Sequence, residues 1–206
     1  MSCARCGGLT VNNTFSIIYS MKRTNGLSTL ESFLLGILDQ NPCSGYDLRK
    51  QFISSPFQHF SDSPGSIYPA LRRLTKWAWI EAQAPAGSRK RQVFAISKKG
   101  RGAFVAWLRR PVTREAIFHP ELILLRFAFM SQALAQTEVQ TFLGEFENAQ
   151  EDYLIELEDF FTKNARSYPL TGRLSFECGL EEYRTRLQWT KHARQAVSRS
   201  KKWPLA

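Results

Sequence analysis

Apolar residues recur at helical spacing in LSTLESFLLGILDQ, residues 27–40, where Leu27, Leu30, Leu34 and Ile37 or Leu38 share one face. Ser28 and Glu31 stand three apart at its start, the pattern of a capping box, and Asn41-Pro42 ends it. Ser44 is placed to cap a second helix, GYDLRKQFI, with Asp47 at the capping-box position and Leu48 and Phe52 four apart. A stretch rich in Ser, Pro and Gly follows, and the pattern then predicts a third helix from Ser66 to Lys76. Wound as a helix, that segment puts Ile67, Leu71 and Leu74 on one stripe with Ala70 beside it. Ser66, Tyr68, Pro69, Arg72, Arg73 and Lys76 spread over the rest. Pro69 falls in or near the first turn, where a missing N–H costs little. Next, WIEAQA (79–84) alternates as a strand, PAGS (85–88) is turn material with Gly87 free to take positive φ, and RQVFAIS (91–97) is the return strand. A fourth helix, 98–110, ends at Pro111. Three helices followed by a two-stranded hairpin predict a winged helix-turn-helix, with Arg89, Lys90 and Arg91 on the basic arm of the wing.

Beyond Pro111 the pattern is helical throughout. PELILLRFAFMSQAL (120–134) opens with Pro120 at the first helical position and Glu121 near the positive helix end. A long helix over 137–165, capped by Thr137, carries the stripe Val139, Phe142, Phe146, Ala149, Tyr153, Leu157, Phe160, close to heptad spacing. After SYPLTG a last helix carries Leu180, Tyr183, Leu187, Thr190 and Val197. Two such stripes exceed what a small headpiece covers. Val139, Phe142, Phe146, Tyr153, Leu157, Phe160, Leu180, Tyr183 and Leu187 are therefore expected at a homodimer interface. The fold class is mainly α: a winged helix-turn-helix DNA-binding domain at 27–111, then an α-helical dimerisation domain at 118–206. Residues 1–26 show no periodicity and are expected to be a disordered, dispensable extension.

Charge sharpens this picture. The chain of 206 residues carries a formal net charge of +10, unevenly placed. Residues 27–110 hold 13 Lys+Arg against 5 Asp+Glu, residues 111–170 hold 4 against 10, and residues 171–206 hold 8 against 3. A basic headpiece fits nucleic acid, and the acidic segment after it suggests a second job. Double-stranded DNA is the expected partner. The start of the third helix offers free N–H groups to phosphate, Gly65 admits a close backbone, and Arg72 and Arg73 add charge. The wing would reach phosphates with Arg89, Lys90 and Arg91.

Other chemistries find little support. There is no Gly-rich phosphate loop and no nucleophile beside a base, and His59, His119 and His192 stand alone. Cys3 and Cys6 form half of a zinc-ligand pattern, but no second pair exists, so no metal, cofactor or enzymatic activity is expected. No apolar run is long enough for a membrane span, and four scattered cysteines suit a reduced, cytoplasmic protein. Trp107, Phe118, Phe127, Phe129, Trp189 and Trp203 fit core packing better than a ligand pocket.

Three stretches carry a resemblance: LLGILDQNPCSGYDLRKQF, SPGSIYPALRRLTKWAWIE and SRKRQVFAISKKGRGAFVAWL. They resemble the PadR-type transcriptional regulators, most closely at Ser44–Gly45–Tyr46 and Gly65–Ala70. Beyond Pro120 the helices are similar to the dimerisation part of the subgroup that includes virulence activators. The resemblance implies a homodimer on a pseudo-palindromic operator, most often repressing, and released in some members by a small aromatic or cationic effector. Tyr46, Ser63, Ser66, Tyr68 and the basic wing match the family's DNA-facing positions. Transcriptional activation, or a winged helix for protein contacts without a small ligand, are the competing readings. The net +8 of the headpiece speaks against the last. One departure stands out: Ala78 occupies the place of the family's glycine after the third helix, so that helix is expected to end without an easy left-handed cap. Trp77 and Trp79 beside it are large for that place, and core packing and cavity lining are the two readings open for them.

Overall fold

The computed structural model describes residues 27–55, 64–83 and 92–203. The expected N-terminal tail, with Cys3 and Cys6, lies outside them, as do Ser63, Arg89, Lys90 and Arg91.

The headpiece begins with α1, Thr29–Gln40. Its capping box forms as the sequence predicts: Glu31 N–H donates to Ser28 Oγ at 3.2 Å, and Ser28 N–H donates to Glu31 Oε2 at 2.8 Å. The single apolar face predicted for α1 understates its burial. Phe33 and Leu35 are buried as well as Leu30, Leu34 and Leu38, because other elements surround the helix on several sides. β1, Cys43–Ser44, leads into α2, Gly45–Ser54, where the Ser44 hydroxyl caps Asp47 N–H at 3.2 Å. A 3-10 turn, Pro64–Ser66, runs straight into α3, Ile67–Lys76. The predicted buried stripe is present in full, with Ile67, Ala70, Leu71 and Leu74 each at most 2% exposed. The wing hairpin is β2, Ile80–Gln83, against β3, Val93–Ile96, antiparallel with Ile80 opposite Ile96 and Gln83 opposite Val93. β1 joins β3 on its other side, giving the order β1-β3-β2. This third strand was not anticipated, since two residues are too few to show a period. α4, Lys98–Leu108, closes the headpiece two residues short of its predicted end.

The end of α3 overturns one expectation. Ala78 takes φ of 54°, the left-handed region, without a glycine. The cap is a full Schellman motif: Trp79 N–H donates to Leu74 C=O and Ala78 N–H to Thr75 C=O, both at 2.9 Å. What holds an alanine there is α4. Ser97 Oγ donates to Ala78 C=O at 2.7 Å and accepts Gly100 N–H at 3.0 Å, while Ser97 N–H donates to Trp79 C=O at 3.0 Å. Trp77 and Trp79, both half-buried, pack their rings on each other at 5.0 Å beside the core. Left-handed backbone costs a non-glycine residue about 1–2 kcal/mol. Ala78→Gly should therefore raise stability by about 1 kcal/mol, read as a higher urea midpoint at unchanged slope.

After a 3-10 segment, Arg114–Phe118, come α5, Pro120–Ala133, α6, Gln136–Asn164, and α7, Leu170–Arg199. Thr137 is not the cap of α6 but lies in its first turn; Ala135 N–H, bonded to Glu138 Oε2 at 2.9 Å, marks the start. α5 docks directly on the headpiece. Phe129 meets Phe33 and Phe104 edge-on at 6.1 and 5.9 Å, and a Cβ on Gly36 would lie 2.8 Å from its ring. Arg126, 8% exposed, reaches back from α5 to donate to the carbonyls of Leu108 and Arg110 and stacks 4.8 Å over the Phe142 ring. Burial, with Arg110 nearby, pulls its guanidinium down to about 10. One core cluster thus runs from α1 to α7 across the expected boundary at 111–118.

α6 and α7 form an antiparallel pair keyed by a buried hydrogen bond from Gln150 Nε2 to Thr190 Oγ1, 2.8 Å. The charge asymmetry of the sequence resolves here. Acidic α6 meets basic α7 through Glu147–Arg194, Glu151–Lys191 and Glu158–Arg184 at 3.0, 2.7 and 2.6 Å. These half-exposed pairs align the helices more than they stabilise them. The predicted dimer stripe is split by the structure. Val139, Phe142 and Phe146 of α6 and Leu180 of α7 are at most 5% exposed in the single chain, so they build its own interior. A period of three and four marks a buried face but not what buries it. Tyr153, Leu157, Tyr183 and Leu187 are half-buried, and Phe160 is 45% exposed. Of the predicted aromatic group, Trp107 and Phe129 are core, Phe127 packs on Trp189, and Trp203 Nε1 bonds Leu134 C=O; only Phe118 stands in solvent.

Candidate nucleic-acid interface

The candidate surface is built by α3 and the start of α2. The two helices meet at their first turns: a Cβ on Gly45 would stand 3.1 Å from Tyr68 Cε1 and 3.2 Å from Leu71 Cδ1. Glycine at position 45 lets the Tyr68 ring lie on the α2 backbone. Tyr46 and Tyr68 are 50% and 47% exposed. The Cys43 thiol is pushed up to about 11, by burial and then by Asp47, which makes it a poor nucleophile.

α3 presents a face without acidic residues. Arg72 and Lys76 are exposed on it, Gly65 is exposed ahead of it, and Ser66 is half-buried. Ser66 makes no capping hydrogen bond and already has helical backbone, because the 3-10 turn from Pro64 precedes it. The helical start thus lies earlier than the sequence predicts, and Pro69 sits third in α3, still within its first turn. Arg73 makes a contact that the sequence does not signal. Its Nε–H donates to Glu31 Oε1 at 2.7 Å, and Glu31 is 2% exposed. The sequence signals Glu31 only as a capping residue, which accounts for one carboxylate oxygen and leaves the other unassigned.

Among the described residues, no helix is long and apolar enough to cross a membrane. Residues 34–106 match the model of the transcriptional regulator PadR-like family. No curated protein matches the chain. Several solved structures are similar in part. PadR of Bacillus subtilis in complex with operator DNA is 19% identical over 82% of this chain and 98% of its own, with a TM-score of 0.37. The PadR-like regulator BC1756 of Bacillus cereus is 23% identical over 82% and 98%, with a TM-score of 0.35. The virulence activator AphA of Vibrio cholerae is 15% identical over 82% and 98%, also at 0.35. The segment 34–106 spans α1 from Leu34 through most of α4 and so contains every described part of the candidate surface. Residues 34–106 thus form a domain of the PadR-like family of transcriptional regulators.

Proposed function

We propose that this protein is a sequence-specific DNA-binding repressor that occupies a pseudo-palindromic operator as a homodimer. The observation that carries the reading is the outward face of α3. Like Tyr46 of α2, Tyr68, Arg72 and Lys76 stand exposed, on a helix whose opposite face is fully buried and which bears no acid. A rigid basic helix of this kind, with its start uncapped by side chains, suits the major groove and the phosphates beside it. Arg72 and Lys76 contribute general affinity, and Tyr68, Ser66 and Gly65 lie where base edges or register-fixing phosphates would be met. Repression needs nothing further from such a dimer than occupancy of a promoter.

The dimer surface we assign is the far end of the α6–α7 pair. Ile155, Phe160, Leu170 and Leu174 are 66, 45, 61 and 53% exposed there, an apolar surface that water covers poorly. For release by a small aromatic effector, the cluster of Phe118, Tyr153 and Tyr183 is the surface to probe. Arg114 lies 5.8 Å over the Tyr153 ring and Arg186 5.0 Å over the Tyr183 ring.

The test is the salt dependence of binding to duplex DNA. Arg72→Ala with Lys76→Ala should weaken operator and random duplex alike and flatten the log–log slope by about one unit per cation removed. Tyr68→Ala with Ser66→Ala should weaken the operator more, by about 1–3 kcal/mol, with the fold intact because the buried stripe is untouched. An unchanged slope in the first variant would remove α3 from the DNA face.

A further inference from the structure

We infer that Glu31 is a positioning residue that withholds Arg73 from DNA, so that only one of the two adjacent arginines of α3 contributes to backbone affinity. The inference rests on the proposed role of α3 as the DNA-facing helix.

Both oxygens of the Glu31 carboxylate are occupied. Oε2 accepts Ser28 N–H at 2.8 Å, and Oε1 accepts Arg73 Nε–H at 2.7 Å. The carboxylate is 2% exposed, whereas Arg73 is 39% exposed. A buried carboxylate that loses its cation is left uncompensated, at far greater cost than a surface pair that opens. That asymmetry pins Arg73 to α1 although the arginine itself reaches solvent. Helix geometry agrees. At about 100° per residue, Arg72 and Lys76 point nearly opposite the buried stripe of α3, while Arg73 lies on the flank beside Ala70. Neither Arg72 nor Lys76 has an ion-pair partner among the described residues. The paired arginines in the sequence therefore differ in kind: one is a cation available to phosphate, the other is neutralised by a residue 42 positions away. The effect on function is on selectivity. Charge that binds any phosphate raises affinity for all sequences equally, so a carboxylate that cancels it lowers the non-specific background.

Glu31→Gln separates this role from simple support, because glutamine also serves as the third residue of a capping box. Binding to a random-sequence duplex should be measured over a range of salt for the full chain and for Arg72→Gln, Arg73→Gln, Glu31→Gln and the Glu31→Gln/Arg73→Gln double variant. Arg72→Gln should flatten the log–log slope by about one unit per protomer. Arg73→Gln should leave the slope unchanged. Glu31→Gln should steepen it by about one unit per protomer and tighten binding at low salt by roughly tenfold. The double variant, which leaves no buried charge and stays informative should Arg73→Gln unfold, should bind like the wild type. If Arg73→Gln or the double variant flattens the slope as Arg72→Gln does, Arg73 is a phosphate contact and the inference is overturned. It is overturned equally if Glu31→Gln leaves the slope unchanged while Arg72→Gln flattens it. If Arg72→Gln itself changes nothing, the reading of α3 fails, and this inference with it.

Discussion

Phe146→Ala is expected to lower folding stability by about 3–5 kcal/mol and to leave self-association of the folded fraction unchanged. The sequence places Phe146 on a heptad-like stripe fit for a partner chain. In the structure it is 1% exposed and belongs, with Val139 and Phe142, to the core that joins α6 to α5 and to the end of α7. Truncation would open a cavity inside one chain. The opposite pattern is expected from Ile155→Glu with Phe160→Glu, at positions 66 and 45% exposed. That pair should weaken the dimer and leave the helical signal intact. Urea unfolding at several protein concentrations, together with sedimentation, separates the two effects, since oligomer dissociation makes apparent stability concentration-dependent. Loss of the dimer in Phe146→Ala without loss of fold would return the proximal stripe to the interface.

Gly100→Ala should be about as damaging, at roughly 3 kcal/mol, the upper end for overpacking. A Cβ at this position would stand 1.9 Å from the Trp79 carbonyl oxygen and 2.8 Å from its carbon. Both are backbone atoms, and that oxygen already accepts Ser97 N–H, so no side-chain rotation relieves the clash. α4 would have to lift from the turn that ends α3, and DNA affinity should fall with stability because Ala78 and the wing share that seat. Gly102, two residues on and with nothing near its would-be Cβ, is the matched control. Gly102→Ala should be neutral or stabilising by up to about 1 kcal/mol. Thermal melts of the two variants check both statements.

The headpiece was legible because its signals are local and redundant. Ser28 and Glu31, Ser44 and Asp47, and the Ile67–Leu71–Leu74 spacing each announce a helix start or a buried face within a few residues. Pairings between distant segments left weaker marks. β1 consists of two residues whose partners lie in β3, and nothing in Cys43-Ser44 alone indicates a strand. The left-handed Ala78 contradicts its own residue preference, and only the hydrogen bonds from α4 explain it. Arg73 reads as one more surface cation until Glu31 is found beneath it. On α6, Val139, Phe142 and Phe146 are covered by their own chain while Phe160 is exposed, a difference the period does not show, because periodicity carries no information about which molecule supplies the other side. Of the candidate DNA contacts, Tyr46, Tyr68, Arg72 and Lys76 are exposed as the sequence predicts, while Ser63, Arg89, Lys90 and Arg91 lie outside the described residues.

The seating of Phe129 between Gly36, Phe33 and Phe104 makes α5 continuous with the headpiece, and α6 grows from that base for 29 residues, about 44 Å at the usual helical rise. Such an arm acts as a ruler. A tilt of about 5° at its root would carry its tip about 4 Å, close to one base-pair step along a duplex. In a dimer joined at the tips, the distance between the two reading helices is then fixed by the stiffness of packed aromatic rings rather than by a tether. Operators with one base pair added or removed between half-sites would be rejected by the arm, even where every base within each half-site is right.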